Sequence, residues 1–154
     1  MNEVIRQLAA RKSVRAFEDR DIPGEVRAAI LEAAAQAPTA GNQQLYTILD
    51  VTDPQLKARL AETCDHQPFI AQAPMVLIFL ADVCKWLDAY REAGCEPRAP
   101  GAGDLMLAAS DAAIAAQNAV TVAWSLGVGS CYIGDVMERC EEHREMLNLP
   151  PHVF

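Results

Sequence analysis

A mixed helix-and-strand fold, α+β or α/β, is predicted for this chain by three features of its hydrophobic patterning. Met75–Leu80 is a continuous apolar run of strand length, as in a strand covered on both faces. Leu105–Leu126 is much longer, Ala-rich and apolar on nearly all sides, which suits a central helix. Around them, apolar residues recur at helical spacing and are interrupted by proline and glycine. At 154 residues the chain has the size of one domain with its own core. Residues 1–154 are therefore read as a single domain, without repeats or low-complexity tracts.

The elements follow in order. Val4, Ile5 and Leu8 have the spacing of an amphipathic helix over residues 2–10. Residues 22–37 form a second helix: Pro23 is harmless in a first turn, and Pro38 stops it. Thr39–Asn42 is a loop and Tyr46–Val51 a strand. Asp53-Pro54 opens a helix, with Asp as cap and Pro in the first turn. The apolar run at 75–80 is a strand, residues 85–92 a short helix, and Gly94–Gly103 a loop with Pro97 and Pro100. The long helix covers 105–126, a short strand Ser130–Ile133, and a charged helix 137–148, stopped by Pro150-Pro151.

Thirteen basic residues against 21 acidic ones give a formal charge of −8, which disfavours nucleic acid and anionic membranes. The charge is uneven. Residues 1–15 hold Arg6, Arg11, Lys12 and Arg15 against Glu3 alone, so residues 16–154 carry −11. That contrast points to a local anion site. Five cysteines without a CxxC pair suggest neither a disulfide framework nor a thiolate zinc site. With no secretory apolar segment at the N-terminus, the expected location is the cytoplasm. Leu105–Leu126 is long enough to span a bilayer, but Asp111, Gln117 and Asn118 inside it favour a protein core or an oligomer interface.

His66, His143 and His152 share no ligand motif, and no metal site is expected. Cys140-x-x-His143 reads as a solvated helix face. No GxSxG, GxxxxGK[ST] or GxGxxG motif occurs, and Gly127-Val-Gly129 follows a helix rather than opening one. Three segments remain: Arg11-Lys-Ser-Val-Arg15, Ala37-Pro-Thr-Ala-Gly-Asn-Gln-Gln44 and Gly129-Ser-Cys-Tyr-Ile-Gly134. Each alone could be a solvated face, a turn or a buried strand. Together they suit a composite site. In an extended segment Arg11, Ser13 and Arg15 share one side, and two guanidiniums with a hydroxyl match a phosphate and a polyol. Asn42 and Gln44 offer the paired donors and acceptors that a planar heterocycle requires.

These segments resemble the nitroreductase family of flavin enzymes. The resemblance also includes Gln67-Pro-Phe-Ile-Ala-x-Ala-Pro, Asp111-Ala-x-Ile-Ala-Ala-Gln-Asn-Ala and Leu126-Gly-Val-Gly-Ser-Cys-Tyr-Ile-Gly134, in the family's order over nearly the whole chain. It implies an α+β fold with a central mixed β-sheet flanked by helices. It also implies a homodimer with the long helix at the interface and FMN in a cleft between subunits. By position, Arg11, Lys12, Ser13 and Arg15 would hold the phosphate, ribityl chain and pyrimidine edge. Pro38, Thr39 and Ala40 would come from the partner, while Asn42 and Gln44 line the flavin site. Gln67 would reach the polar edge of the ring, with Tyr132, Ile133 and Gly134 beside it. The implied activity is hydride transfer from NADH or NADPH through FMN to a nitroaromatic or quinone, with Arg15 as an electrostatic stabiliser and no side-chain nucleophile. A flavin- or nucleotide-binding protein without turnover is the alternative. His66 departs from the Asn of several relatives. The family pattern also continues beyond residue 154 with a strand and basic tail, of which Val153 and Phe154 read as the first residues.

Overall fold

The computed structural model describes residues 2–154. Helix α1 (Glu3–Ala10) starts where Asn2 accepts a hydrogen bond from Ile5 N–H at 3.0 Å. Helix α2 (Gly24–Ala35) leads through a 3₁₀ turn (Ala40–Asn42) into strand β1 (Tyr46–Asp50). Helix α3 (Pro54–Thr63) has Pro54 in its first turn and Asp53 as its cap, accepting Gln55 N–H at 3.0 Å. The short helix α4 (Phe69–Gln72) precedes strand β2 (Leu77–Ala81). Helices α5 (Cys84–Glu92), α6 (Ala102–Ser125), α7 (Asp135–Glu138) and α8 (Cys140–Met146) complete the order.

Strands β1 and β2 pair antiparallel, Tyr46 opposite Ala81 and Asp50 opposite Leu77. Both faces of β2 are covered, as its unbroken apolar run predicts. Leu77 and Phe79 pack against Ile30, Ala34, Ala112, Ala115 and Ala119 of α2 and α6. Val76 and Ile78 pack against Val51, Leu60, Cys64 and Ile70. A third cluster joins Leu45, Ala81, Val83 and Ala108.

The expected mixed sheet is corrected to this two-stranded antiparallel one. The one parallel pairing among the described residues is an isolated bridge between Ser13 and Ser130, outside this sheet. Residues 130–133 are not a strand, because only Ser130 finds a pairing partner there. Val153 bridges Asp82 antiparallel, and Ala81 and Phe154 exchange N–H···O bonds at 2.8 and 3.0 Å, so the chain's last residues do extend the β2 edge. The single helix expected over 137–148 is divided at Arg139 (φ −114°, ψ 44°), whose carbonyl receives His143 N–H at 3.0 Å and lies 3.0 Å from His143 Nδ1.

Helix α6 is long and apolar enough by length and composition to cross a membrane. Here one face of it packs on α2 and the sheet. Ala108, Ala112, Ala115, Ala116, Ala119 and Ala123 lie on that buried face, while Met106, Ala109, Ser110, Ala113 and Gln117 are exposed on the opposite side. The helix is thus buried along one stripe rather than all round. Ala116 is only 4% exposed and faces the interior of its own chain.

Candidate flavin site

The basic segment begins where α1 ends. Arg11 leaves the helix with extended backbone (φ −59°, ψ 133°), and Val14 N–H donates to Ser130 O at 2.9 Å. This contact joins residues 11–15 to residues 129–134, as the composite reading requires. Gly129 makes the approach possible: a Cβ there would lie 2.7 Å from Val14 Cγ2 and 2.9 Å from Val14 Cβ. Lys12, Ser13 and Arg15 are exposed. Arg11 is half-buried beside Gln7, Leu8, Thr121 and Trp124, and its Nη1 is buried without a hydrogen-bond partner. A buried guanidinium N–H without an acceptor is costly, so this atom calls for an anionic or carbonyl oxygen.

Tyr132 is 51% exposed and donates to Gln117 Oε1 at 3.4 Å on the outer face of α6. Partial burial raises its phenol pKa, and the Arg11 charge opposes that rise. Ile133 packs into the cluster around Cys64 and Ile70. Gly134 has an ordinary helical φ of −83°, and a Cβ on it would meet nothing within 4 Å. Neither backbone conformation nor packing within the chain demands glycine there. Gln67, which the resemblance brings to the polar edge of the ring, is engaged within the chain. Its Nε2 donates to Cys64 O at 2.9 Å and Asp135 Oδ2 at 3.0 Å, which ties the turn after Gly134 to α3. His66, at φ +51°, is exposed and pairs with Glu62 at 2.9 Å.

The Pro38–Gln44 segment is built differently. Gly41, Asn42 and Gln44 all have positive φ (+58°, +55° and +50°). Gln44 N–H donates to Thr39 Oγ1 at 3.2 Å, and Gln44 Nε2 to Asn42 Oδ1 at 3.1 Å. From α5, Trp86 Nε1 donates to Gln43 O at 2.7 Å and Lys85 Nζ to Gln44 O at 2.9 Å. From α6, Asp111 accepts Leu45 N–H at 3.1 Å and Ala40 N–H at 3.4 Å. Burial first, and the Asp111 charge second, raise the pKa of neighbouring Tyr46, whose hydroxyl donates to Ala34 O at 3.3 Å.

The structure therefore brings residues 11–15 together with 129–134 but does not join them to 38–44. The first group meets α6 at Gln117, Thr121 and Trp124, the second at Asp111. Along the helix, at ~1.5 Å rise per residue, the Arg11 contacts lie about 15 Å or more from Asp111 and the Tyr132 contact about 9 Å from it.

Asp111 and Asn118, which the sequence places in a protein core or an oligomer interface, find partners within the chain: Asp111 bonds the 40–45 turn, and Asn118 Nδ2 donates to Ala33 O at 3.2 Å. His143, read as part of a solvated face, is only 2% exposed. Its Nε2 lies 2.8 Å from Thr63 Oγ1, and its Nδ1 lies 3.1 Å from Val136 O. The spacing of His143, Met146 and Leu147 would have placed it on the apolar face.

Comparison with known proteins gives the family and the fold. Residues 8–154 match the model of the nitroreductase family. The chain is 36% identical over 157 residues to an FMN reductase (NAD(P)H) of Bacillus subtilis, covering 100% of this chain and 63% of that protein. It is 33% identical over 154 residues to an oxygen-insensitive NADPH nitroreductase of Salmonella typhimurium, covering 100% of this chain and 62% of that protein. The solved structure of B. megaterium NfrA2 superposes with a TM-score of 0.94 at 34% identity, over 100% of this chain and 63% of that one. An NADPH:FMN oxidoreductase from Vibrio harveyi, solved in complex with NAD+, superposes with a TM-score of 0.92 at 28% identity, over 99% of this chain and 64% of that one. The chain thus spans somewhat less than two thirds of the length of these relatives. With the fold, the order of its motifs and the match over residues 8–154 in agreement, the chain belongs to the nitroreductase family.

Proposed function

We propose that this chain carries the FMN site of an NAD(P)H-dependent flavin oxidoreductase that works as a homodimer in the cytoplasm. The observation that carries the reading is Arg11 Nη1, buried and without an acceptor in a chain of this family. The residues present fit FMN. Arg11, Lys12, Ser13 and Arg15 would hold the phosphate, ribityl chain and pyrimidine edge, and Tyr132, Ile133 and Gly134 would flank the ring, with open space over Gly134. Gln67 acts by fixing the Asp135 turn, with its Oε1 left to face the ring edge. When bound, FMN supplies hydride-transfer chemistry between NADH or NADPH and an electron-poor acceptor such as a nitroaromatic or quinone. Arg15 contributes positive charge at the pyrimidine edge.

Pro38, Thr39, Ala40, Asn42 and Gln44 would complete the site of the other subunit. Their separation from Arg11 along α6 supports this division. So does the exposed stripe of Met106, Ala109, Ala113 and Gln117 on α6, with Val4, Ile5 and Leu8 of α1 also exposed. Residues 1–154 are read as one folding unit.

Anaerobic addition of NADH or NADPH to the FMN-loaded protein tests the activity. Loss of the oxidised flavin absorbance is expected; a spectrum that stays oxidised would make the protein a flavin binder without turnover. Ala113→Arg tests the dimer. It puts an unpaired charge on the outer face of α6, so sedimentation at micromolar concentration should find a folded monomer with reduced FMN content. An unchanged dimer would move the interface elsewhere.

A further inference from the structure

We propose that Asp111 is the positioning residue of the flavin-facing turn: its carboxylate ties Ala40 to Leu45 and so holds Asn42 and Gln44 in left-handed backbone conformations. This rests on the FMN reading above for what the turn contacts, but not for how the turn is held.

The two carboxylate oxygens reach opposite ends of a six-residue span, Oδ1 to Ala40 N–H and Oδ2 to Leu45 N–H. Within the span lie three residues at positive φ, of which Asn42 and Gln44 carry side chains. A non-glycine residue persists in that region only when its surroundings over-determine it. Other hydrogen bonds also hold the turn, and the one between Gln44 and Thr39 spans most of it. Gln43 N–H donates to Ala40 O, Gln44 N–H to Thr39 Oγ1, and Trp86 and Lys85 take the Gln43 and Gln44 carbonyls. Only Asp111 links residue 40 to residue 45 among these contacts.

The site is specific for a carboxylate. Asp111 is 3% exposed and faces two N–H donors, and none of the ion pairs among the described residues involves it. An amide in its place would keep one acceptor oxygen but set its NH₂ against a backbone N–H. The buried side of α6 thereby orders the segment whose amides would face FMN.

Three measurements on Asp111→Asn and the parent protein test this: thermal unfolding, proteinase K cleavage of the FMN-free protein mapped to residues 39–45, and FMN titration by flavin fluorescence. The variant should melt as one cooperative unit, be cut in the turn roughly tenfold faster, and bind FMN roughly tenfold more weakly. Adding Asn42→Ala to it should cause little further loss of FMN affinity, because the two act through one another. Parent-like cleavage and affinity in a folded Asp111→Asn would overturn the proposal. If Asp111→Asn does not fold, Ala40→Pro decides. It deletes the N–H to Oδ1, and Thr39 already has the extended backbone (φ −133°, ψ 153°) that a following proline needs. Faster cleavage of the turn supports the assignment and unchanged cleavage rejects it. If the parent itself fails to bind FMN, the flavin reading falls, and cleavage of the FMN-free proteins still decides the role of Asp111.

Discussion

The two halves of the candidate site are built in opposite ways. In the half formed by residues 11–15 and 129–134, one β-bridge holds the segments together, the charged side chains face outward, and a guanidinium nitrogen is buried without an acceptor. In the half formed by residues 38–45, most backbone groups already have partners, from Thr39, Trp86, Lys85 and Asp111. The first half has unused donors that a ligand would complete. The second is preorganised, so the cost of ordering it is met on folding rather than on binding. A site divided in this way can be weakened by removing a ligand contact in one half or by releasing the scaffold in the other.

The largest expected effect is at the seam of the open half. Gly129→Val would drive a side chain into Val14, where even a Cβ stands 2.7 Å from Cγ2. Overpacking of this kind costs about 1–3 kcal/mol, and here it would also part Arg11–Arg15 from Ser130. A lower melting temperature together with lost FMN is expected; unchanged flavin content would mean that the bridge does not shape the site. Arg11→Ala comes next. Loss of a charge-assisted hydrogen bond should weaken FMN by about 1.5–3 kcal/mol, roughly tenfold to hundredfold, and by more than exposed Lys12→Ala does. Equal losses in fluorescence titration would break the distinction between the buried and exposed cation. Gly134→Val is smaller in stability and more selective. Among the described residues beyond its chain neighbours, nothing lies within 4 Å of its missing Cβ, so the fold should persist while flavin binding or reduction suffers. A fully active variant would place the ring elsewhere.

The same contrast explains what was legible in the sequence. Helices and strands with a strong local pattern, such as α3 with its Asp53 cap and β2 with its apolar run, could be read directly. The basic segment was conspicuous as a candidate, because clustered positive charge stands out in an acidic chain. Ser130–Ile133 was misread as a strand because β-propensity does not reveal whether a pairing partner is in reach. Asp111 was recognised as a polar residue in an apolar helix, but its partners lie 66 and 71 residues away in sequence. Local patterning carries no information about such contacts. His143 was obscured differently: charged neighbours Glu141, Glu142, Arg144 and Glu145 mask a position that turns inward, as Met146 does.

A second carboxylate on α6 sharpens the comparison, with the smallest expected effect. Asp104 lies two turns before Asp111 and caps the helix, accepting Gly101 N–H at 2.8 Å. Unlike Asp111 it has a cation: Arg98 donates to both of its oxygens at 2.7 Å. Those bonds, with the Gly101 N–H second, lower its pKa from 3.8 to about 2. A carboxyl whose pKa is depressed on folding contributes stability above its unfolded pKa and loses it as pH falls through the folded value. The contribution should therefore be complete above pH 4 and fade between pH 4 and 2. The pair is at the surface, so salt should weaken it. Melting temperatures of the parent and Asp104→Asn should differ modestly at pH 5, converge towards pH 2, and differ less at high ionic strength. FMN affinity at pH 7 should be the same in both, because this carboxylate closes a surface loop rather than the turn at Ala40–Leu45. If Asp104→Asn lost flavin as Asp111→Asn is expected to, the two acidic positions would be acting through the stability of α6 as a whole, and the distinct role of the buried one would be lost.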